Sequence, residues 1–318
     1  MRFLLLSAYE ASSHRRWREG LVRCLADYEW TVLALPPRNF AWRSRGNALS
    51  WAFGSGEILR RGFDLLLATS MTDLASLRGM APTLTNIPNA VYFHENQFAY
   101  PERIGRREGL NWKLTNLYTA LAADRILFNS CFNRDSFLDG LGDMLSLMPD
   151  HVPRGITDLV AGRSSVLPVP LEAGCYRTES RQDREGPVSI LWNHRWEHDK
   201  SPERFFVALE GLVKEDIPFR VHVLGQKFRQ VPAVFGQARK ILGDRIGVWG
   251  FTEDAGDYKK ILRESDLVVS TAMHEFQGLA IQEAVAAGCR PVVPDRLVYR
   301  ELYSEEYRYP SCPEDPQR

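Results

Sequence analysis

The feature that most constrains this chain is a rhythm. Short apolar, β-branched-rich runs alternate with segments of helical period, and the alternation runs through the sequence twice. Strands separated by helix-length stretches cannot pair as hairpins. They form parallel sheets whose crossover helices cover the faces. In the first half, strands are expected at 3–7, 31–35, 64–69, 90–93, 125–129 and 165–169, with helices around 15–28, 111–123, 131–141 and 154–161. Residues 173–187 break the rhythm: they are polar, charged and Gly- and Pro-bearing, without a period, and read as a linker. After it come strands at 188–192, 219–224, 245–248, 267–270 and 291–293, and helices at 202–214, 231–242, 257–264 and 279–287. The expectation is a first domain over 1–172 and a second over 188–318, each doubly wound, with a ligand cleft between them.

Length and composition agree. A chain of 318 residues has room for two α/β domains, and 44% hydrophobic with 25% charged residues supplies two cores and excludes disorder. The charge is formally zero, but residues 1–113 carry a net +5 that the rest of the chain cancels. Arg43, Arg45, Arg103, Arg106, Arg107 and Lys113 contribute to that excess. Such a lobe suits an anionic partner, although a solvated basic surface explains it equally well. The five cysteines, Cys24, Cys131, Cys175, Cys289 and Cys312, are odd in number and never spaced C-x-x-C, which fits free thiols in a reducing, cytoplasmic setting. The opening apolar run is a buried strand rather than a leader, and no run approaches the ~20 apolar residues that span a bilayer.

In a doubly wound sheet the chemistry lies just after the strands. Three segments there carry it. In the first, Ser270 to Glu283, Gly278 precedes a helix start whose amides at Leu279 and Ala280 form an anion site. Glu275 lies before that start and Glu283 one turn inside, so one carboxylate is placed for sugar hydroxyls and the other for a ribose diol. The plainer alternative is acidic residues satisfying a helix dipole. In the second, Trp192 to Pro202, Arg195 and Lys200 can reach a diphosphate, as a planar fork and a point charge, and Ser201 reads as the N-cap before a first-turn Pro202. The chain has no Asp-x-Asp pair, so cations and a helix terminus take the place of a metal. The same stretch spells His194-x-x-Glu197-His198, the H-x-x-E-H order of a zinc hydrolase, which requires both histidines on one helix face. In the third, His94, Glu95, Asn96 and Gln97 place four polar groups at a strand end, a density that suits a site better than packing.

These residues resemble a known family. The two-lobed plan, Glu275 and Glu283 around Gly278, and the Arg195–Lys200 pair look like the retaining GT-B glycosyltransferases of family four. Within that group, YFHENQFAYP (92–101), FNSCFN (128–133), MPDHVP (148–153), HRWEHDK (194–200), AWRSRGNAL (41–49) and HEFQGLAIQEA (274–284) are similar to the tRNA-queuosine α-mannosyltransferases. The resemblance implies a GT-B fold, a GDP-mannose donor used without a metal, and transfer with retention to the cyclopentenediol of queuosine in a tRNA anticodon loop. It puts Arg195 and Lys200 on the diphosphate and Glu283 on the ribose. Glu275 and the backbone at 278–280 take the sugar and phosphate, and His94 the sugar's C6 hydroxyl. The acceptor side would draw on His14, Arg43, Arg45, Glu95, Asn96 and Gln97, with Trp42 or Tyr100 to stack on the base. Where the family has Gly-Gly-Ser-His after the first strand, this chain has Ala11-Ser12-Ser13-His14, and Gln277 replaces an aromatic residue or glycine. Related chains also continue past the point where this chain stops into a closing helix, so either the lobes are expected to be less firmly joined here or the chain is a shortened product. Another nucleotide sugar, a lipid or small-molecule acceptor, or a nucleotide-sugar-binding module without turnover remain alternatives, and the oligomeric state stays open.

Overall fold

The computed structural model describes residues 1–100, 109–176, 186–227 and 231–311. They fall into two compact units that divide between Val169 and Pro170. Of the positions singled out above, Pro101, Arg103, Arg106, Arg107 and Cys312, with 177–185 of the linker, lie outside the described residues.

The first unit is built on β1 (Arg2–Ser7), β2 (Glu29–Ala34), β3 (Leu65–Thr69), β4 (Asn89–Phe93), β5 (Arg125–Phe128) and β6 (Ser164–Val166), all parallel, in the order β2-β1-β3-β4-β5-β6. A strand covered on both faces needs a continuous apolar run rather than an alternating one. Leu4, Leu5 and Leu6 are that run, and all three are fully buried. Leu4 and Leu6 join one core cluster, while Leu5 packs on the other face with Trp17 of the helix Ser12–Cys24.

The second unit carries β7 (Val188–Asn193), β8 (Phe219–Leu224), β9 (Ile246–Gly250), β10 (Leu267–Val269), β11 (Arg290–Pro294) and β12 (Arg308–Tyr309), again parallel, in the order β12-β11-β10-β7-β8-β9. Ile190 and Trp192 of β7 pack against Phe205, Phe206 and Leu209 of the helix Pro202–Lys214 and Phe235 of the helix Val234–Leu242. The order is that of the dinucleotide-binding doubly wound sheet, and it reverses direction between β7 and β10. In the first sheet the reversal falls between β1 and β3. At each reversal the crossovers leave on opposite faces and open a crevice outside the carboxyl ends of the strands. Each unit is thus a Rossmann-like doubly wound domain, and two such domains make up the GT-B fold that the sequence led us to expect.

Two differences from the sequence reading matter. Ser201 occupies the N-cap position of Pro202–Lys214, with Pro202 first in the helix, but it has φ 47 and ψ 55 and makes no side-chain cap bond. Its hydroxyl does not do what an extended capping serine does. The helices Phe40–Gly54 and Leu74–Met80 were not expected. Phe40–Gly54 buries Ala48 and Trp51 but leaves Trp42 and Phe53 52% and 76% exposed, so its apolar residues lie on both faces and give no period. Among the described residues no helix is long and apolar enough to cross a membrane.

Candidate active site

At the reversal point of the second sheet, β7 runs into the loop 194–201 and β10 into the loop 270–278. Hydrogen bonds tie β7 and the two loops together. Trp192 Nε1 donates to Thr271 Oγ1 at 3.2 Å, Thr271 Oγ1 donates to the Lys200 carbonyl at 2.9 Å, and the Met273 amide donates to the Asp199 carbonyl at 2.8 Å. The end of β8 presses on the same loop: a Cβ on Gly225, at φ +140, would lie 1.7 Å from the His194 carbonyl oxygen. Only glycine fits there.

Lys200 sits at the centre of this arrangement, buried. Its Nζ donates to the His274 carbonyl at 2.6 Å and lies 3.2 Å from both Glu275 Oε2 and Asp199 Oδ2. Burial pulls the ammonium's pKa down, but the two carboxylates outweigh it and the net shift is upward. Glu275, with its side chain 22% exposed, answers in kind: burial raises its carboxyl, the Lys200 charge overrides that, and the pKa falls to about 2. Beside them His194 drops to about 3, first through burial and then through repulsion from Lys200. The site is therefore a fixed ammonium–carboxylate pair with a neutral imidazole next to it.

Gly278 follows directly, at φ 68, as N-cap of the helix Leu279–Ala286. Its missing Cβ leaves room for Tyr299, whose ring edge would be 3.3 Å from it, and for Glu275 Cγ at 3.6 Å. Leu279 and Ala280 are the first residues of that helix, where amides have no intrahelical acceptor. Glu283, one turn in, is 3% exposed and accepts a 2.6 Å hydrogen bond from the Tyr258 hydroxyl on the helix Ala255–Glu264. Arg195 stands at the rim, half-exposed, with Nη1 3.1 Å from Glu197 Oε2. The structure thus brings Lys200, Glu275, Gly278 and Glu283 around one strand-end crevice. The H-x-x-E-H order does not make a helical face: His194 follows the strand, His198–Lys200 is a 3-10 turn, and His198 is exposed and faces Glu203 at 3.6 Å.

In the first unit His94 follows β4 and is 8% exposed. Its ring stacks on His14 with centroids 4.2 Å apart and packs against Trp17 and Tyr92, each at 4.7 Å. Burial, then His14, drives its pKa well below the ordinary histidine value, and Nε2 has no hydrogen-bond partner among the described residues. His14 Nδ1 bonds the Tyr9 carbonyl at 3.0 Å. Glu95 accepts from the Tyr100 hydroxyl at 2.9 Å. Asn96 is fully buried: Nδ2 reaches Asn133 and Ser136, and Oδ1 takes the amides of Phe98 and Ala99. Its amide is occupied in folding the loop. Gln97 is buried too, its backbone amide on Asn116 and its side chain against Met71. Arg43 and Arg45 lie on the helix Phe40–Gly54, and Arg45 bonds Thr115 at 2.8 Å with Asp73 at 3.6 Å. Sequence reasoning gave no role to Tyr258, Asp199, Tyr299 or the Asn129–Asn133 pair that anchors the Phe93 and His94 carbonyls. Of these Asp199, Asn129 and Asn133 stood in segments already marked, and nothing near Tyr258 signalled it.

Comparison with known proteins places these features. Residues 2–171 match the N-terminal model of tRNA-queuosine alpha-mannosyltransferase, and residues 178–311 match glycosyl transferases group 1. A tRNA-queuosine alpha-mannosyltransferase from Drosophila melanogaster is 34% identical over 316 residues, covering 96% of this chain and 82% of the fly protein. Sucrose-phosphate synthase from Thermosynechococcus elongatus superposes with a TM-score of 0.69 at 12% identity, over 99% of this chain and 87% of that one. Anabaena HepE in complex with UDP gives 0.68 at 14% identity, over 99% and 86%. At such identities the two structures speak for the fold alone.

Proposed function

The chain belongs to the tRNA-queuosine α-mannosyltransferase family, and on that footing we propose that it transfers mannose from GDP-mannose to the cyclopentenediol of queuosine in a tRNA anticodon loop. It is a glycosyltransferase, and the arrangement that best supports this reading is the pair of buried Lys200 and part-buried Glu275 beside the Gly278 helix start, with Glu283 one turn further in. A nucleotide sugar presents a diphosphate flanked by a hexose on one side and a ribose on the other. The constellation offers a cation and free helix amides, then a carboxylate, then a second carboxylate.

In this reading Lys200 and Arg195, with the amides of Leu279 and Ala280, would hold the diphosphate and carry the charge it gains on leaving. Glu275 would accept from sugar hydroxyls and Glu283 from the ribose. In the first unit His94, kept neutral, would hydrogen-bond the sugar's C6 hydroxyl. The bond from the sugar's anomeric carbon to the diphosphate breaks, and the acceptor oxygen bonds to that carbon from the same face. The acceptor's proton passes to the departing phosphate, so no side chain is needed as nucleophile and no metal is invoked. His14, Glu95, Arg43 and Arg45 are the acceptor-side candidates. Asn96 and Gln97 shape the loop that presents His94 and Glu95. A tRNA acceptor and the free thiols Cys24, Cys131, Cys175 and Cys289 fit a cytoplasmic setting.

The test is incubation with queuosine-tRNA and labelled GDP-mannose, followed by nucleoside digestion. A gain of one hexosyl residue on queuosine is expected; label that never reaches the nucleoside refutes the acceptor. A binding panel of GDP, UDP and ADP sugars tests the donor separately.

A further inference from the structure

Tyr258 lies on the helix Ala255–Glu264, partly buried, and its hydroxyl joins two residues from different elements. Asn193, the last residue of β7, donates from Nδ2 to the Tyr258 oxygen at 2.8 Å. That oxygen donates its proton to Glu283 Oε2 at 2.6 Å. The polarity of the relay is fixed. A carboxylate only accepts, so the single phenolic proton goes to Glu283, and the tyrosine oxygen must then accept from the asparagine. Turning the amide over would set two acceptors against one proton.

A buried carboxylate bound this closely by a hydroxyl is held in one rotamer. Glu283 is the group read above as the ribose carboxylate, and it sits where β7, the helix Ala255–Glu264 and the helix Leu279–Ala286 converge. We propose that Tyr258 is a positioning residue for the donor's ribose: it pre-sets the Glu283 carboxylate for the ribose hydroxyls, and Asn193 orients Tyr258. The inference rests on the ribose reading of Glu283. Its physical content is pre-organisation, since the cost of ordering the glutamate side chain is met before the donor arrives.

The experiment is calorimetric titration of the full chain, as wild type, Tyr258→Phe and Asn193→Ala, with GDP, UDP and their 2′-deoxy counterparts. The tighter of the two ribonucleotides serves as the probe. Wild type is expected to favour ribose over deoxyribose. Tyr258→Phe should lose about tenfold in affinity for the ribonucleotide, a typical effect of removing a hydrogen bond to a charged group, and little for the deoxynucleotide. The discrimination ratio therefore collapses towards one, and Asn193→Ala moves it the same way by less. A Tyr258→Phe protein that keeps the wild-type ratio overturns the proposal, whatever its melting temperature, because a merely structural tyrosine would lower stability without touching ribose preference. A wild type that binds the diphosphate without discriminating refutes the ribose role of Glu283, and with it this proposal. A wild type that binds neither diphosphate refutes the donor reading itself.

Discussion

Replacing Lys200 with methionine keeps the length and apolar stem of the side chain and deletes only the ammonium. Its partner Glu275, 22% exposed at the side chain, would be left without that counter-charge. The wild-type carboxyl stands at about 2 against an ordinary 4.5, a shift that corresponds to roughly 3 kcal/mol of stability at neutral pH. Breaking a buried ion pair from one side costs about 3–5 kcal/mol, and the partial exposure of Glu275 favours the lower end. For a unit of this size that lowers the melting temperature by roughly 6–12 °C. Because the folded pKa is depressed, the contribution is complete above pH 4.5 and is lost as pH falls towards 2. In the variant the largest lowering influence is gone, and burial shifts the Glu275 pKa upward against the weaker pull of His194 and Arg195. The gap between wild type and variant is thus widest at neutral pH and narrows through the carboxylate range. Urea denaturation followed by circular dichroism at a series of pH values measures it, and Lys200→Met/Glu275→Gln should recover part of the loss. A variant as stable as wild type at pH 7, or a gap as wide in acid as at neutrality, would refute the reasoning.

Other perturbations address the remaining groups. Arg195→Ala should lower kcat/KM by about 2–4 kcal/mol of transition-state stabilisation, and full activity would remove Arg195 from the diphosphate. His94 has a depressed pKa, so the stability it contributes is present above the unfolded value near 6.5 and is lost as pH falls below it; His94→Asn should flatten that fall in denaturation curves. Affinity for tRNA should drop steeply with salt, and Arg43→Ala should reduce the slope by about one if it meets a phosphate. Gly225→Ala, whose Cβ would lie 1.7 Å from the His194 oxygen, should destabilise the second unit more than a surface Gly→Ala exchange such as Gly236→Ala, where nothing stands within 4 Å; equal melting temperatures would contradict the close approach.

The sheets were legible because buried parallel strands write themselves as apolar runs. Leu4–Leu6 and Ile190–Trp192 could hardly be anything else. The helix Pro202–Lys214 was read to the residue from its proline and its periodicity. Phe40–Gly54 escaped because exposed Trp42 and Phe53 blur the pattern that buried Ala48 and Trp51 would otherwise show. At the site, residues that follow a strand could be nominated in advance, since topology alone marks that place. What each nominee does could not, because partners come from far along the chain. Asn96 read as a ligand-facing amide, yet it is held by Asn133 and Ser136 across the loop. Tyr258 finds Asn193 sixty-five residues away and Glu283 twenty-five away, distances over which no local pattern operates.

The two strand-end loops are joined by Thr271 and main-chain atoms, and also by Lys200, whose ammonium holds the His274 carbonyl and the Glu275 carboxylate. Scaffold and chemistry therefore meet in Lys200, whereas Arg195 stands at the rim beside Glu197. An exchange at Arg195 spares the bonds made by Lys200 and Thr271, while one at Lys200 removes a tie between the loops along with a charge. On the proposed donor reading, an engineer would leave Lys200 in place and vary the rim.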